Sequence, residues 1–283
     1  MARIATTIIF IILLTIACSC TTPGQQVTVN TPQGKETAYP PSYELSPGRR
    51  QEVQDAWKNF LAESGLPFSP LDLDPVLNTP RSLPSDLTGR ISLANAKKNG
   101  AIGEMEAKEA VRNFIERTRG ILSGNPKNGI QGVKDLSLAS FTANGNSYKF
   151  SYQQASYPFS FASGYGELKV VIDKAGNLLA WSSSLVPKLD LPISPSVNTE
   201  EFYRKLLNRE LSYTTIAGKL QTYKITKREQ IVVKEPVIYP KRQGNKLTLH
   251  LAFPVDVGNG MTWTYYFDAI DGEELGVNQN FAS

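Results

Sequence analysis

Apolar residues recur at two periods along this chain, and the switch between them divides it into elements. Val53, Ala56, Trp57, Phe60 and Leu61 fall at helical spacing, which predicts an amphipathic helix over residues 49–64, stopped by Gly65 and Pro67. Residues 66–93 are broken by prolines and read as an extended segment. A second helix follows. Ala107, Ala110, Val111, Phe114, Thr118, Ile121 and Leu122 form its apolar face, and Glu104, Glu106, Lys108, Glu109, Arg112, Glu116 and Arg117 its polar one.

After a glycine-rich break at 124–132, strand character takes over. Runs at 136–141, 147–153, 157–161, 166–173 and 178–185 are separated by turns rich in Gly and Asn, such as Asn144-Gly145 and Asp173-Lys174-Ala175-Gly176. A proline-rich joint at 187–196 separates this unit from the next. There Asn198 or Thr199 caps a helix, Glu200 and Glu201 meet its dipole, and Phe202, Leu206 and Leu207 supply its apolar side. Strands are expected at 229–239, 247–257 and 261–267. The last strand and turn, WTYYFDAIDGEEL over residues 263–275, has a looser copy in LKVVIDKAGNLL over 168–179. The pattern is α+β: two units, each a helix packed on an antiparallel β-meander, spanning 49–195 and 196–283.

The N-terminus follows other rules. Arg3 precedes an uncharged run from Ile4 to Ile16, the length of a signal-peptide core and too short to span a bilayer. The run ends in Thr15-Ile16-Ala17-Cys18-Ser19-Cys20, which resembles a bacterial lipoprotein signal: residues 1–17 would be removed and Cys18 lipidated, with Cys20 as the alternative. No other cysteine exists, so the folded part has neither a disulfide nor a thiolate metal site. Residues 18–48 are rich in Thr, Pro, Gly, Gln and Ser and read as a flexible tether to the membrane.

Composition narrows the function. Over 283 residues, 41% hydrophobic content is enough for a real core, and the net charge of +4 is spread along the chain. Its densest basic run, Lys241, Arg242 and Lys246, reads as a solvated hairpin, so nucleic acid is not an expected partner. A single histidine, His250, alternates onto one sheet face with Thr248 and Ala252, opposite Leu247, Leu249, Leu251 and Phe253. With no nucleophile elbow beside it, no catalytic residue is assigned. Asp268, Asp271, Glu273 and Glu274 lack the alternation of a calcium loop, so they read as a turn in which Asp268 bonds amides and Gly272 is left-handed. No metal or other cofactor is expected.

Residues 148–187 resemble the propeptide domain of thermolysin-like and fungalysin-like metalloproteases, with a Gln-bearing strand, an aromatic-Pro stretch and a Val-x-Val-Asp-x-x-Gly-like hairpin. Tyr157 stands where that family usually has Gly before the proline, and FASGYG over 161–166 looks inserted. The second half, with PVIYP at 236–240, the strand at 249–257 and WTYYFDAIDGEEL, resembles the PepSY domain that ends the same prosegments. The zinc-protease motif needs two histidines, and this chain has one. The resemblance therefore implies a prosegment without its protease: a non-catalytic envelope protein, anchored by palmitate-type acylation, that inhibits an exported metalloprotease or assists its folding. The alternative expectation is an envelope binding or structural module that reuses the PepSY fold for another partner.

Overall fold

The computed structural model describes residues 27–30, 36–94, 100–127, 129–162, 164–214, 218–258 and 263–280. The expected leader, Cys18 and Cys20 lie outside them. The fold is α+β.

The chain starts with strands β1 (Val27–Asn30), β2 (Glu36–Tyr39) and β3 (Ser42–Glu44), then helix α1 (Pro47–Glu63). α1 begins two residues ahead of the expected helix because Ser46 caps it, its Oγ accepting the Arg49 N–H at 3.3 Å, and Pro47 opens the first turn. A short hairpin of β4 (Asp72–Leu73) and β5 (Pro80–Ser82) leads to α2 (Glu104–Leu122). At the start of α2 the Glu106 carboxylate accepts the Gly103 N–H at 3.1 Å.

Four strands then form the first sheet in chain order: β6 (Leu136–Asn144), β7 (Ser147–Gln154), β8 (Glu167–Asp173) and β9 (Leu178–Ser183), all antiparallel. One face carries Tyr148, Phe150, Tyr152, Leu168, Val170, Ile172, Leu178 and Trp181 into a core shared with both helices. Trp57 is its centre. It is fully buried, stacks on Phe60 and meets Trp181 at a tilt, each at 5.4 Å between ring centroids, and donates its indole N–H to Ser69 O at 2.8 Å.

The second sheet is arranged differently. Helix α3 (Glu200–Leu206) and a hairpin of β10 (Glu210–Thr214) and β11 (Leu220–Lys224) precede strands β12 (Ile231–Val233), β13 (Val237–Gln243), β14 (Lys246–Val257), β15 (Trp263–Asp268) and β16 (Glu274–Gln279). β14 is the axis. β13 and β12 share one of its edges, and β3 and β15 share the other. Phe202 and Leu206 of α3 pack with Leu211, Phe253, Val255, Trp263 and Phe267 into the core of this unit. A third cluster holds Tyr39, Tyr43, Val76, Leu77, Val186, Leu191, Ile238, Leu247 and Leu249, so the two units share buried surface rather than standing apart.

Several expectations change. The tether assigned to 18–48 does not extend through its last residues: β3 pairs with β14, and Tyr39 and Tyr43 are 2% and 8% exposed. The segment is too poor in apolar residues to fold alone, but an existing sheet edge supplies backbone partners and a core for its two tyrosines. Residues 157–161 form no strand. Pro158 cannot donate to a ladder, and only Phe161 bridges to Ile238. The run at 229–239 splits at Lys234–Pro236 for the same reason, and its first residues belong to a 3-10 turn at Arg228–Gln230. The β10–β11 hairpin adds to the expected strands, and β16 completes the turn after β15 as a hairpin, so the second unit is not a simple meander.

Gly124, just past α2, has φ +64°, and a Cβ there would lie 1.8 Å from Leu77 O; Gly145, at φ +42°, faces open space. Gly145→Ala is expected to cost about 1–2 kcal/mol for the left-handed backbone. Gly124→Ala should cost clearly more, read as the gap between the two denaturant midpoints. Equal losses would show that the Leu77 contact is not tight.

Candidate functional site

His250 and Thr248 are two apart on β14, so their side chains share a face, and Asp268 ends the neighbouring strand β15. The structure brings these three together with a residue from the expected tether. His250 Nδ1 lies 2.7 Å from Asp268 Oδ2, and His250 Nε2 lies 3.0 Å from Thr248 Oγ1. Tyr39 donates its hydroxyl to Asp268 Oδ2 at 2.9 Å and accepts the Leu251 N–H at 3.0 Å. Asp268 Oδ1 accepts the Ile270 N–H at 2.7 Å. Asp268 is 1% exposed and His250 7%.

The backbone explains the arrangement. Along one edge of β14, β3 pairs as far as Thr248 and β15 begins at Ala252, leaving a gap between them. Pro41 O takes the Leu249 N–H at 2.9 Å, the Tyr39 hydroxyl takes the Leu251 N–H, and Ala269 N–H donates to Leu251 O at 2.7 Å. Each backbone group in that gap named here thus has a partner. Burial, followed by the Asp268 charge and hydrogen bond, holds the Tyr39 phenol far above its ordinary range. Burial pushes the Tyr43 phenol up to about 12.

Thr248, His250 and Asp268 stand in the order hydroxyl, imidazole, carboxylate that activates a nucleophile elsewhere. The Thr248 hydroxyl also reaches Lys241 O at 3.2 Å, and the cavity described below is lined by other residues. What this geometry does is clamp: it fixes the N-terminal strand, the centre of β14 and the β15–β16 turn to one carboxylate.

The other acidic residues of the turn point elsewhere. Asp271 Oδ1 accepts the Glu273 N–H at 2.8 Å, Glu274 pairs with Arg209 at 2.6 Å, and Glu273 lies 4.0 Å from Lys241. Gly272 is left-handed at φ +75°, as the sequence implies, and Asp268 bonds one turn amide, that of Ile270. The basic run is dispersed among acids: Arg242 bonds Asp74 at 3.0 Å and Lys246 lies 3.9 Å from Glu44. Burial raises the Asp74 pKa, but hydrogen bonds from the Leu77 and Val76 amides and from Arg242 outweigh it, leaving that carboxyl below its usual range.

Tyr39 is the member of the cluster that the sequence concealed. Its one signal is an aromatic followed by Pro40-Pro41 inside an otherwise polar stretch.

No family model matches the chain, and no curated protein does. Among solved structures, the C-terminal domain of Bacillus megaterium YpeB aligns over 84% of this chain and 99% of its own, at 14% identity and a TM-score of 0.30.

Tyr39→Phe removes one hydrogen bond to a buried carboxylate and leaves the Leu251 N–H unpaired, so a loss of about 1–3 kcal/mol is expected in denaturant unfolding. An unchanged midpoint would show that the clamp carries no stability. For pH the sign follows from phenols held neutral. The stabilisation from Tyr43 is complete below its unfolded value of about 10 and is lost as pH rises through about 12. Limited proteolysis within 38–46 should therefore increase across that window, in step with tyrosinate absorbance.

Proposed function

We propose that the chain is a non-catalytic, lipid-anchored protein of the cell envelope that binds an exported metalloprotease in trans, as a prosegment-like unit followed by a PepSY-like unit. Acylation at Cys18, or at Cys20, would supply the anchor.

The observation that supports this reading best is the hairpin formed by the motif that resembles the end of such prosegments. β15 and β16 are joined by the Asp268 turn and pair from Trp263↔Gln279 to Phe267↔Glu274. β16 is the margin of the sheet, with no strand on its outer side among the described residues, and Val277 on it is 47% exposed. A strand margin of this kind accepts an extended segment of a partner through backbone hydrogen bonds. The clamp at Asp268 keeps that margin rigid, which lowers the ordering cost of binding.

The test is titration of the full chain against thermolysin-like proteases exported by the same source, scoring inhibition and recovery of activity after denaturation. Inhibition or assisted refolding is expected, and Val277→Pro should weaken it by removing an edge donor while leaving the core intact. Absence of binding, inhibition and refolding assistance with every protease tried would sink the proposal. A fragment starting at residue 49 is unsuited to this test because it lacks Tyr39 and β3.

A further inference from the structure

A cavity of about 340 Å³ opens where the 74–81 loop faces β8, β9 and Gly164-Tyr165. This volume lies at the lower end of small-ligand sites, about 300–1,000 Å³. Asp74, Arg81, Tyr165, Glu167, Lys169 and Ser182 converge on it. Among the lining side chains two carboxylates face two cations, with Arg81 3.6 Å from Asp74 and Lys169 2.8 Å from Glu167, and Arg242, outside the lining, also bonds Asp74 at 3.0 Å. A balanced lining gives a charged ligand of either sign little net attraction.

The lining still has hydrogen-bonding capacity to spare. Arg81 makes only the loose 3.6 Å approach to Asp74, although a guanidinium has five donors. Thr79 is 1% exposed and lines the same cavity, yet its Oγ1 has no partner among the described residues. A buried hydroxyl without a partner costs about 1–3 kcal/mol and calls for an explanation. The loop beneath is held in an uncommon shape, with Asn78 at φ +58°, and its side-chain amide also lacks a partner. Fixed donors, fixed acceptors and no net charge favour a neutral ligand whose groups both donate and accept. Hydroxyls at close spacing do both. The apolar part of the lining named here is Leu77 and the Tyr165 ring, which suits one face of a sugar ring better than the side chains of a peptide.

We propose that this cavity is a binding site for a neutral saccharide, with Arg81 and Lys169 donating to ring hydroxyls, Glu167 accepting from them, and Tyr165 as the stacking platform. The site is separate from the β16 margin and does not depend on protease binding.

The test is calorimetric titration of the full chain, in a detergent without a sugar headgroup, with maltotriose, cellobiose and N,N′-diacetylchitobiose. Triglycine and spermidine serve as peptide and cationic comparisons. Saturable binding of at least one saccharide is expected, weakened about tenfold or more by Arg81→Ala, the loss of a hydrogen bond from a charged donor. Tyr165→Ala should weaken it similarly with the thermal midpoint retained, and Ser182→Ala, at a half-buried hydroxyl, replaces it if that variant unfolds. The proposal is overturned by no saturable binding of any of the three saccharides, by binding that survives the substitutions, or by triglycine or spermidine binding as tightly.

Discussion

A buried carboxylate is the constraint on which the second sheet depends. Asp268 is withdrawn from water, and an ionised carboxylate there is tolerable only if its oxygens are bonded. Tyr39, His250 and the Ile270 amide meet that demand, and each comes from a different part of the chain. The requirement of one side chain therefore sets where the N-terminal strand lies, how β14 is oriented and how the last turn closes. Removing Asp268 would leave a phenol, an imidazole and an amide seeking partners in the same small volume.

The two turns that the sequence pairs as copies show how one local rule serves two purposes. Asp173 accepts the Asn177 N–H at 2.8 Å in the first sheet, as Asp268 accepts the Ile270 N–H in the second. The first aspartate is partly open and acts within its hairpin alone. The second has been covered by Tyr39, and a turn residue has become a junction. The same covering links the units, because Tyr39 and Tyr43 belong to the cluster that also holds Leu77, Val186 and Ile238.

Elements carried by periodicity were legible in the sequence. The apolar faces of α1 and α2, the alternation in β7 and β8 and the shared face of Thr248 and His250 are local properties, and each is found where the spacing puts it. What could not be read depends on distant partners. β3 is three residues long and gains its hydrogen bonds from β14, some two hundred positions away. β10 alternates only over Leu211 and Tyr213 and β11 carries mostly exposed residues, so the apolar alternation is too short to stand out. His250 was placed on the correct face, but nothing local announces that Tyr39 will bury it. The cavity beside Arg81 was equally hidden, since it joins a proline-broken loop to two strands of another sheet.

The pairing of β1 with β2 sets a limit on reach. Val27 lies opposite Tyr39, so the chain doubles back before it leaves the folded body. Read as a free linker, the path from Cys18 to Gly48 could extend about 100 Å; from Cys18 to Val27 the same geometry allows only about 30 Å. An acyl chain at Cys18 would then hold the second sheet within roughly its own width of the bilayer. A protein anchored in that way would patrol a thin shell at the membrane surface, and anything it captured would have to come to that shell to be met.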